Sequence, residues 1–276
     1  MKKIDSHQHF WQYDPKRYPW IGNGMETIAR DFLPATLHPH LQAHEVAGTV
    51  AVQAVSEESE THFLLNLAEE YPSLLGVVGW VDLRSSALQD TLHAYQPFSK
   101  LKGFRHLLQD EKDPDFILQP SFQQGLQLIF EAGYSYDLLV LPHQLGGAIQ
   151  AVANFPEGRF VLDHLAKPKI KQGAIADWKV QIEELAGYPQ VCCKVSGMVT
   201  EADWTNWKKE DFFPYLDVVV EAFGEDRLLF GSDWPVCGLA ATYGQVVGVL
   251  EEYLKEQSPT LQEKIWHENA RQFYRL

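Results

Sequence analysis

Apolar positions along this 276-residue chain fall into two alternating kinds of stretch. Short apolar runs, at residues 3–7, 49–54, 75–81, 101–106, 135–140, 160–164, 191–196 and 228–233, have the length and β-branched content of buried strands. Between them, residues 60–71, 87–96, 121–132, 144–154, 174–187 and 211–223 carry the three-to-four residue spacing of helices with one apolar face. Gly133, Gly187 and Gly224 follow three of these stretches, where a left-handed cap residue belongs. Two further helices are expected at residues 243–255 and 260–271, the second started by Ser258-Pro259. Eight strands alternating with helices predict a parallel α/β protein closed into a barrel, with the whole chain, 1–276, as one domain.

Two stretches interrupt that rhythm. Residues 9–37 hold Phe10, Trp11, Tyr13, Tyr18, Trp20 and Gly22, too long and too aromatic for a plain connection. Residues 109–120 form a second, acidic insertion after the fourth strand. In a barrel both follow strand C-terminal ends, the face on which active sites form, so the aromatic stretch is expected to fold over a pocket or to plug the barrel end.

Composition narrows the partners. With 45% hydrophobic and 22% charged residues the chain reads as an ordinary globular protein. A net charge of -14 without a basic patch argues against nucleic acid, since nothing would displace phosphate counterions. The chain opens on a charged strand rather than a basic and apolar leader, and no apolar run spans a bilayer, so a cytoplasmic protein without a membrane partner is expected. Cys192, Cys193 and Cys237 make no disulfide framework; they read as small core side chains, with Cys237 also a candidate for a pocket wall.

Candidate chemistry gathers where the strands end. In Asp5-Ser6-His7-Gln8-His9 the two-residue strand period turns Asp5, His7 and His9 to one side. His106 and His164 end the fourth and sixth strands, and Asp233 ends the eighth. Imidazoles and a carboxylate at one mouth suit a divalent metal such as zinc. They suit equally a metal-free hydrolysis in which Asp233 takes a proton from water while histidines stabilise an oxyanion. Asp5 would orient His7 or tie down the first strand, and Asp163, facing away from His164, is expected as a structural acceptor. Lys194 is a candidate to hold a substrate oxygen or, instead, to form a salt bridge near the barrel end. Gln53 and Trp80 are candidates to line a small polar pocket, with packing the alternative for Trp80. Arg105 joins them only if a bend brings it round from the face opposite His106.

Five segments together resemble the amidohydrolase superfamily: His7-Gln8-His9, Lys102-Gly103-Phe104-Arg105-His106, Asp163-His164-Leu165-Ala166-Lys167-Pro168, Lys194-Val195-Ser196-Gly197 and Gly231-Ser232-Asp233-Trp234-Pro235. More narrowly, the chain looks like the amidohydrolase-2 branch that contains sugar lactonases of the L-fuconolactonase and L-rhamnonolactonase type. The likeness runs through His267-Glu268-Asn269-Ala270, nearly the whole chain. It implies a (β/α)8 TIM barrel in which Asp233 is general base toward the hydrolytic water and His106 and His164 polarise the carbonyl. It also implies either one divalent metal at His7, His9 and Asp233 or none. Members with two metals bridge them through a carboxylated lysine on strand four; His106 on strand four and the lack of a strand-five histidine point away from a binuclear centre. Dicarboxylate lactones need several arginines, so the expected substrate is a neutral sugar lactone, opened to its aldonate under a cap of Trp11, Tyr18 and Trp20. The competing expectations are a metal-dependent decarboxylase of the same superfamily and a catalytically silent barrel binding a small ligand or a protein. Oligomeric state is not legible in the outer helix positions.

Overall fold

The computed structural model describes residues 2–276. Eight parallel strands stand in sequential order: β1 Lys3–Gln8, β2 Val46–Val52, β3 Leu74–Gly79, β4 Leu101–His106, β5 Ser135–Leu138, β6 Phe160–Leu162, β7 Val191–Val195 and β8 Leu228–Phe230. Helices follow them in turn: α1 Pro34–Ala43, α2 Glu58–Glu70, α3 Leu88–Tyr95, α4 Pro120–Glu131, α5 Leu145–Asn154, α6 Ala176–Ala186, the short α7 Met198–Glu201, α8 Phe213–Phe223 and α9 Tyr243–Leu254. The chain ends in α10 Pro259–Glu263 and α11 Asn269–Tyr274, joined by a wider π turn over Lys264–Glu268. This is the expected (β/α)8 TIM barrel. Closure between β8 and β1 comes from single bonds: Ser6 Oγ donates to the Phe230 carbonyl at 2.6 Å, Asp233 N–H to the His7 carbonyl at 2.8 Å, and His9 N–H to the Trp234 carbonyl at 2.7 Å.

Apolar side chains fill the lower part of the barrel. Ile4, Val50, Val52, Val78, Val161 and Leu229 form its apolar interior, closed below by Phe273 and Tyr274 of α11. The larger core lies between strands and helices, where each helix buries its apolar stripe. Ile4 and His7 share the interior although an odd number of positions separates them. The register explains it: Asp5 pairs with Thr49 but Gln8 with Ala51, so β1 bulges between them and its alternation changes phase. Asp5 therefore does not share the inward face with His7. It is bonded by the Tyr243 hydroxyl of α9 at 3.1 Å and by the Ser232 hydroxyl and amide at 2.6 and 2.8 Å.

Several expected boundaries move. β2, β3, β5, β6 and β8 stop two or three residues short of the ends of the apolar runs that predict them; beyond β6 and β8 the backbone turns left-handed at His164 and Asp233. Helix α1, with its Pro39, starts within the last residues of the stretch expected to be aromatic loop and runs beyond it to Ala43. Gly133 and Gly224 have the expected positive φ of 87° and 67°, but Gly187 remains right-handed at φ -61°. Ser258 caps α10 as expected, its hydroxyl accepting from Leu261 N–H at 3.1 Å. No helix among the described residues is long and apolar enough to cross a membrane.

Candidate active site

Three imidazoles converge on one carboxylate oxygen at the C-terminal mouth of the barrel. Asp233 Oδ1 lies 3.3 Å from His9 Nε2, and 3.9 Å from both His7 Nε2 and His164 Nε2. The remote nitrogens are engaged elsewhere. His9 Nδ1 sits 2.7 Å from the Val52 carbonyl, which can only accept, so the His9 ring proton is on Nδ1. In the neutral ring Nε2 is then bare and faces an anionic oxygen at 3.3 Å, an arrangement that needs a proton or a cation nearby. His164 Nδ1 meets the Ser196 hydroxyl at 2.9 Å. Imidazoles anchored through one nitrogen with the other aimed at a common point are the usual preparation for a metal. One donor atom each of His7, His164 and Asp233 lies within 4.8 Å of the others, a buried set geometrically suited to one divalent cation. His164, expected to act as a catalytic group, thus stands in the same cluster as His7 and Asp233, and His9, expected to hold the metal with them, has its Nε2 3.3 Å from the shared Asp233 oxygen.

The electrostatics favour this use. Burial holds His164 down to about 4, so its ring is neutral at pH 7. Burial and the Lys194 ammonium hold His7 well below the ordinary histidine value. Burial would raise the Asp233 carboxyl, but His164, His9 and His7 together keep it far below the usual carboxylate range, so it is ionised.

Local backbone geometry delivers these groups. β6 ends at Leu162, and its alternation keeps Asp163 inward with Val161. His164, Leu165, Ala166 and Lys167 then take φ of 52°, 54°, 57° and 50°, a left-handed turn of four residues none of which is glycine. Each such residue costs about 1–2 kcal/mol, and the surroundings hold them there. Leu165 and Ala166 are fully buried, Trp178 Nε1 donates to the Leu165 carbonyl at 2.7 Å, and Lys167 N–H to the His164 carbonyl at 2.7 Å. The turn swings His164 back into the mouth that strand parity would deny it. Asp233 is likewise left-handed at φ 58°.

Beneath the mouth lies a buried ion network. The Lys194 ammonium is 2.5 Å from Asp137 Oδ2, 2.9 Å from Asp163 Oδ1 and 3.0 Å from His7 Nδ1. Arg105 Nη1 donates to Asp163 Oδ2 at 2.9 Å and reaches His7 Nε2 at 3.2 Å. Lys194, Arg105 and His7 hold the Asp163 carboxyl well below its usual value against the effect of burial.

The other expected residues divide. A cavity of about 290 Å³ opens above Asp233, and His9, His164, Arg105 and Trp20 reach its wall. This is at the small end for ligand clefts. Lys194 does not reach it: it is fully buried in the ion network, the alternative reading of that residue. Gln53 is also buried below the cavity, its Nε2 donating to the Arg105 carbonyl at 3.2 Å and its own carbonyl accepting from the guanidinium. Trp11 is fully buried, Nε1 donating to the Arg30 carbonyl at 2.8 Å, and packs behind Trp20 with Tyr18 and Phe32 rather than on the cavity. His106 follows strand parity outward. Its ring stacks on Phe116, accepts from Trp80 Nε1 at 3.2 Å and contacts Glu111 Oε1 at 2.8 Å, so neither His106 nor Trp80 lines the cavity. Asp163 is the structural acceptor expected, here for Arg105 and Lys194, while sequence reasoning missed Lys167 and Glu201, which line the cavity. Strand parity alone, carried two residues past Val161, puts Asp163 on the inward face; no periodicity points to the other two.

Comparison with known proteins adds the family. The family model described as amidohydrolase matches residues 4–276. An L-fucono-1,5-lactonase of Burkholderia multivorans is 41% identical, with 99% of this chain and 96% of that protein aligned. A second L-fucono-1,5-lactonase, from Burkholderia ambifaria, is 34% identical over 99% of this chain and 96% of its own. Among solved structures, an amidohydrolase from Burkholderia multivorans with bound zinc superposes with a TM-score of 0.97 at 41% identity, over 100% of both chains.

Proposed function

The chain belongs to the amidohydrolase family, and on that premise we propose that it hydrolyses a small sugar-derived lactone to the open aldonate, with Asp233 as the base. The observation that carries this reading is the convergence of three imidazole nitrogens on Asp233 Oδ1 at the floor of a small cavity. The lactonase relatives, aligned over nearly their full length, supply the substrate class.

His7, His164 and Asp233 would hold a divalent ion, zinc by analogy with the bound relative, whose general contribution is Lewis acidity toward a carbonyl and toward water. The chain's own residues do the rest. The close imidazole contacts of Asp233 all run to Oδ1, leaving its other oxygen to take a proton from water as that water attacks the lactone carbonyl. The histidines that keep this carboxylate ionised also make it a weak base, and a divalent ion held beside it would offset that by making water more acidic. Arg105, fixed by Asp163 and Gln53, presents positive charge to the cavity where negative charge develops on the carbonyl oxygen. Collapse breaks the bond from carbonyl carbon to ring oxygen, and the proton held on Asp233 passes to that oxygen as it leaves as a hydroxyl. Trp20 walls the cavity and narrows access of bulk water.

The test is initial-rate acid release by pH indicator from L-fucono-, L-rhamnono-, L-arabinono- and D-galactono-lactones, corrected for spontaneous opening. Rapid opening of one of them is expected. Background rates for all four, together with carbon dioxide release from an aromatic acid, would replace the reading with a decarboxylase.

A further inference from the structure

The wall of the cavity above β6 and β7 carries a second polar group that the hydrolytic step does not use. Lys167, last residue of the left-handed turn, and Glu201, last residue of α7, both line the cavity with side chains 22% and 25% exposed. Their Nζ and Oε1 are 3.9 Å apart, wider than the 2.7–2.9 Å of a direct charge-assisted hydrogen bond. Each therefore retains capacity for a third partner, the ammonium as donor and the carboxylate as acceptor. Glu201 is held above its ordinary value by burial, with Lys167 opposing that effect, so a partner that hydrogen-bonds the carboxylate relieves a desolvated charge.

Flanking this pair are apolar surfaces with no polar demand of their own. Trp20 Nε1 donates to the Ala54 carbonyl at 3.1 Å and Trp204 Nε1 to the Thr200 carbonyl at 2.9 Å, so both indoles offer carbon to the cavity. Thr200, also on the wall, spends its hydroxyl proton on the Gly197 carbonyl at 2.9 Å and is left an acceptor. A donor, two acceptors and two aromatic walls match a ring with several hydroxyls and apolar C–H faces better than they match a carboxylate or an aromatic acid.

We propose that Lys167 and Glu201 form a hydroxyl-recognition subsite, bridging ring hydroxyls of a polyhydroxy lactone and selecting it over hydroxyl-free lactones. The proposal rests on the lactone-hydrolysis reading. It also gives the strained turn a purpose: the same left-handed run that returns His164 to the mouth places a cation three residues later on the cavity wall.

The experiment compares L-fucono-1,5-lactone with δ-valerolactone, a six-membered lactone without hydroxyls, in wild type, Lys167→Met and Glu201→Gln. Wild type is expected to prefer the sugar lactone by at least about 100-fold in kcat/KM, because a site built for hydroxyls penalises an analogue that lacks them. Each variant should raise KM for the sugar lactone about tenfold or more with kcat within about threefold, and leave kcat/KM for δ-valerolactone unchanged, which also reports an intact fold. Equal losses on both substrates, or no loss on either, would overturn the proposal. A wild type that opens neither lactone would remove the functional reading itself, and with it this subsite.

Discussion

At the residue scale, the division between what lines the mouth and what supports it from below leads to distinct expectations. Among the described residues the Lys194 ammonium is paired with Asp137, Asp163 and His7 inside the barrel and lies over the Tyr274 ring, 5.5 Å from its centroid. Its replacement by Met would leave buried carboxylates uncompensated, a loss of about 3–5 kcal/mol. Urea unfolding of Lys194→Met should show that loss; an unchanged midpoint with a raised KM would return Lys194 to the substrate. His106 makes the opposite case. Its ring is engaged by Trp80, Glu111 and Phe116 outside the cavity, so His106→Gln should keep kcat within about tenfold, whereas removal of a group acting on the reacting proton costs 10²–10⁴-fold. A fall of that larger size would put His106 back in the chemistry.

At the scale of elements, the turns after the strands do what strand alternation cannot. Gly197, between β7 and α7, has φ +62°, and a Cβ there would stand 2.5 Å from His164 Nδ1. Gly197→Ala should therefore both strain the backbone, by about 1–2 kcal/mol, and displace His164. The expected result is a lower urea midpoint together with a fall in kcat of at least about tenfold; wild-type kcat would contradict the positioning of His164 by this turn. A second junction joins β2 to α2. Buried Glu60 accepts from Ala54 and Val55 N–H at 2.8 and 2.9 Å and from the Tyr18 hydroxyl at 3.3 Å, and burial pushes its carboxyl up to about 7. Because the folded protein binds this proton more tightly than the unfolded chain, the contribution is complete below about pH 4.5 and is lost as pH rises through 7. Between pH 5 and 8 the wild type should lose up to roughly 3 kcal/mol relative to Glu60→Gln. Parallel pH profiles in urea unfolding would contradict the assignment.

At the scale of the whole molecule, the order of strands and helices was legible because it rests on periodicity, the signal least dependent on tertiary context. The apolar runs over β2, β3 and β4 and the caps at Gly133 and Gly224 follow directly from it. The site was legible only in part. His7 and Asp233 stand near strand ends, so their convergence follows from the barrel itself; on β4 the alternation has the opposite phase to the one expected, since Arg105 faces the cavity without any bend and His106, expected in the mouth, faces outward to Phe116, Trp80 and Glu111. A bulge in β1 and a left-handed turn after β6 then break that alternation, and neither leaves a periodic trace. They are why Asp5 faces α9, why His164 joins His7 and Asp233 at the mouth, and why Lys167 was not anticipated on the cavity wall. The account converges on one carboxylate. The most direct measurement is the turnover of Asp233→Asn on whichever sugar lactone the wild type opens, with its thermal unfolding followed in parallel. A kcat loss of roughly 10²–10⁴-fold with the fold intact is the predicted result; turnover equal to that of the wild type would contradict Asp233 as the base.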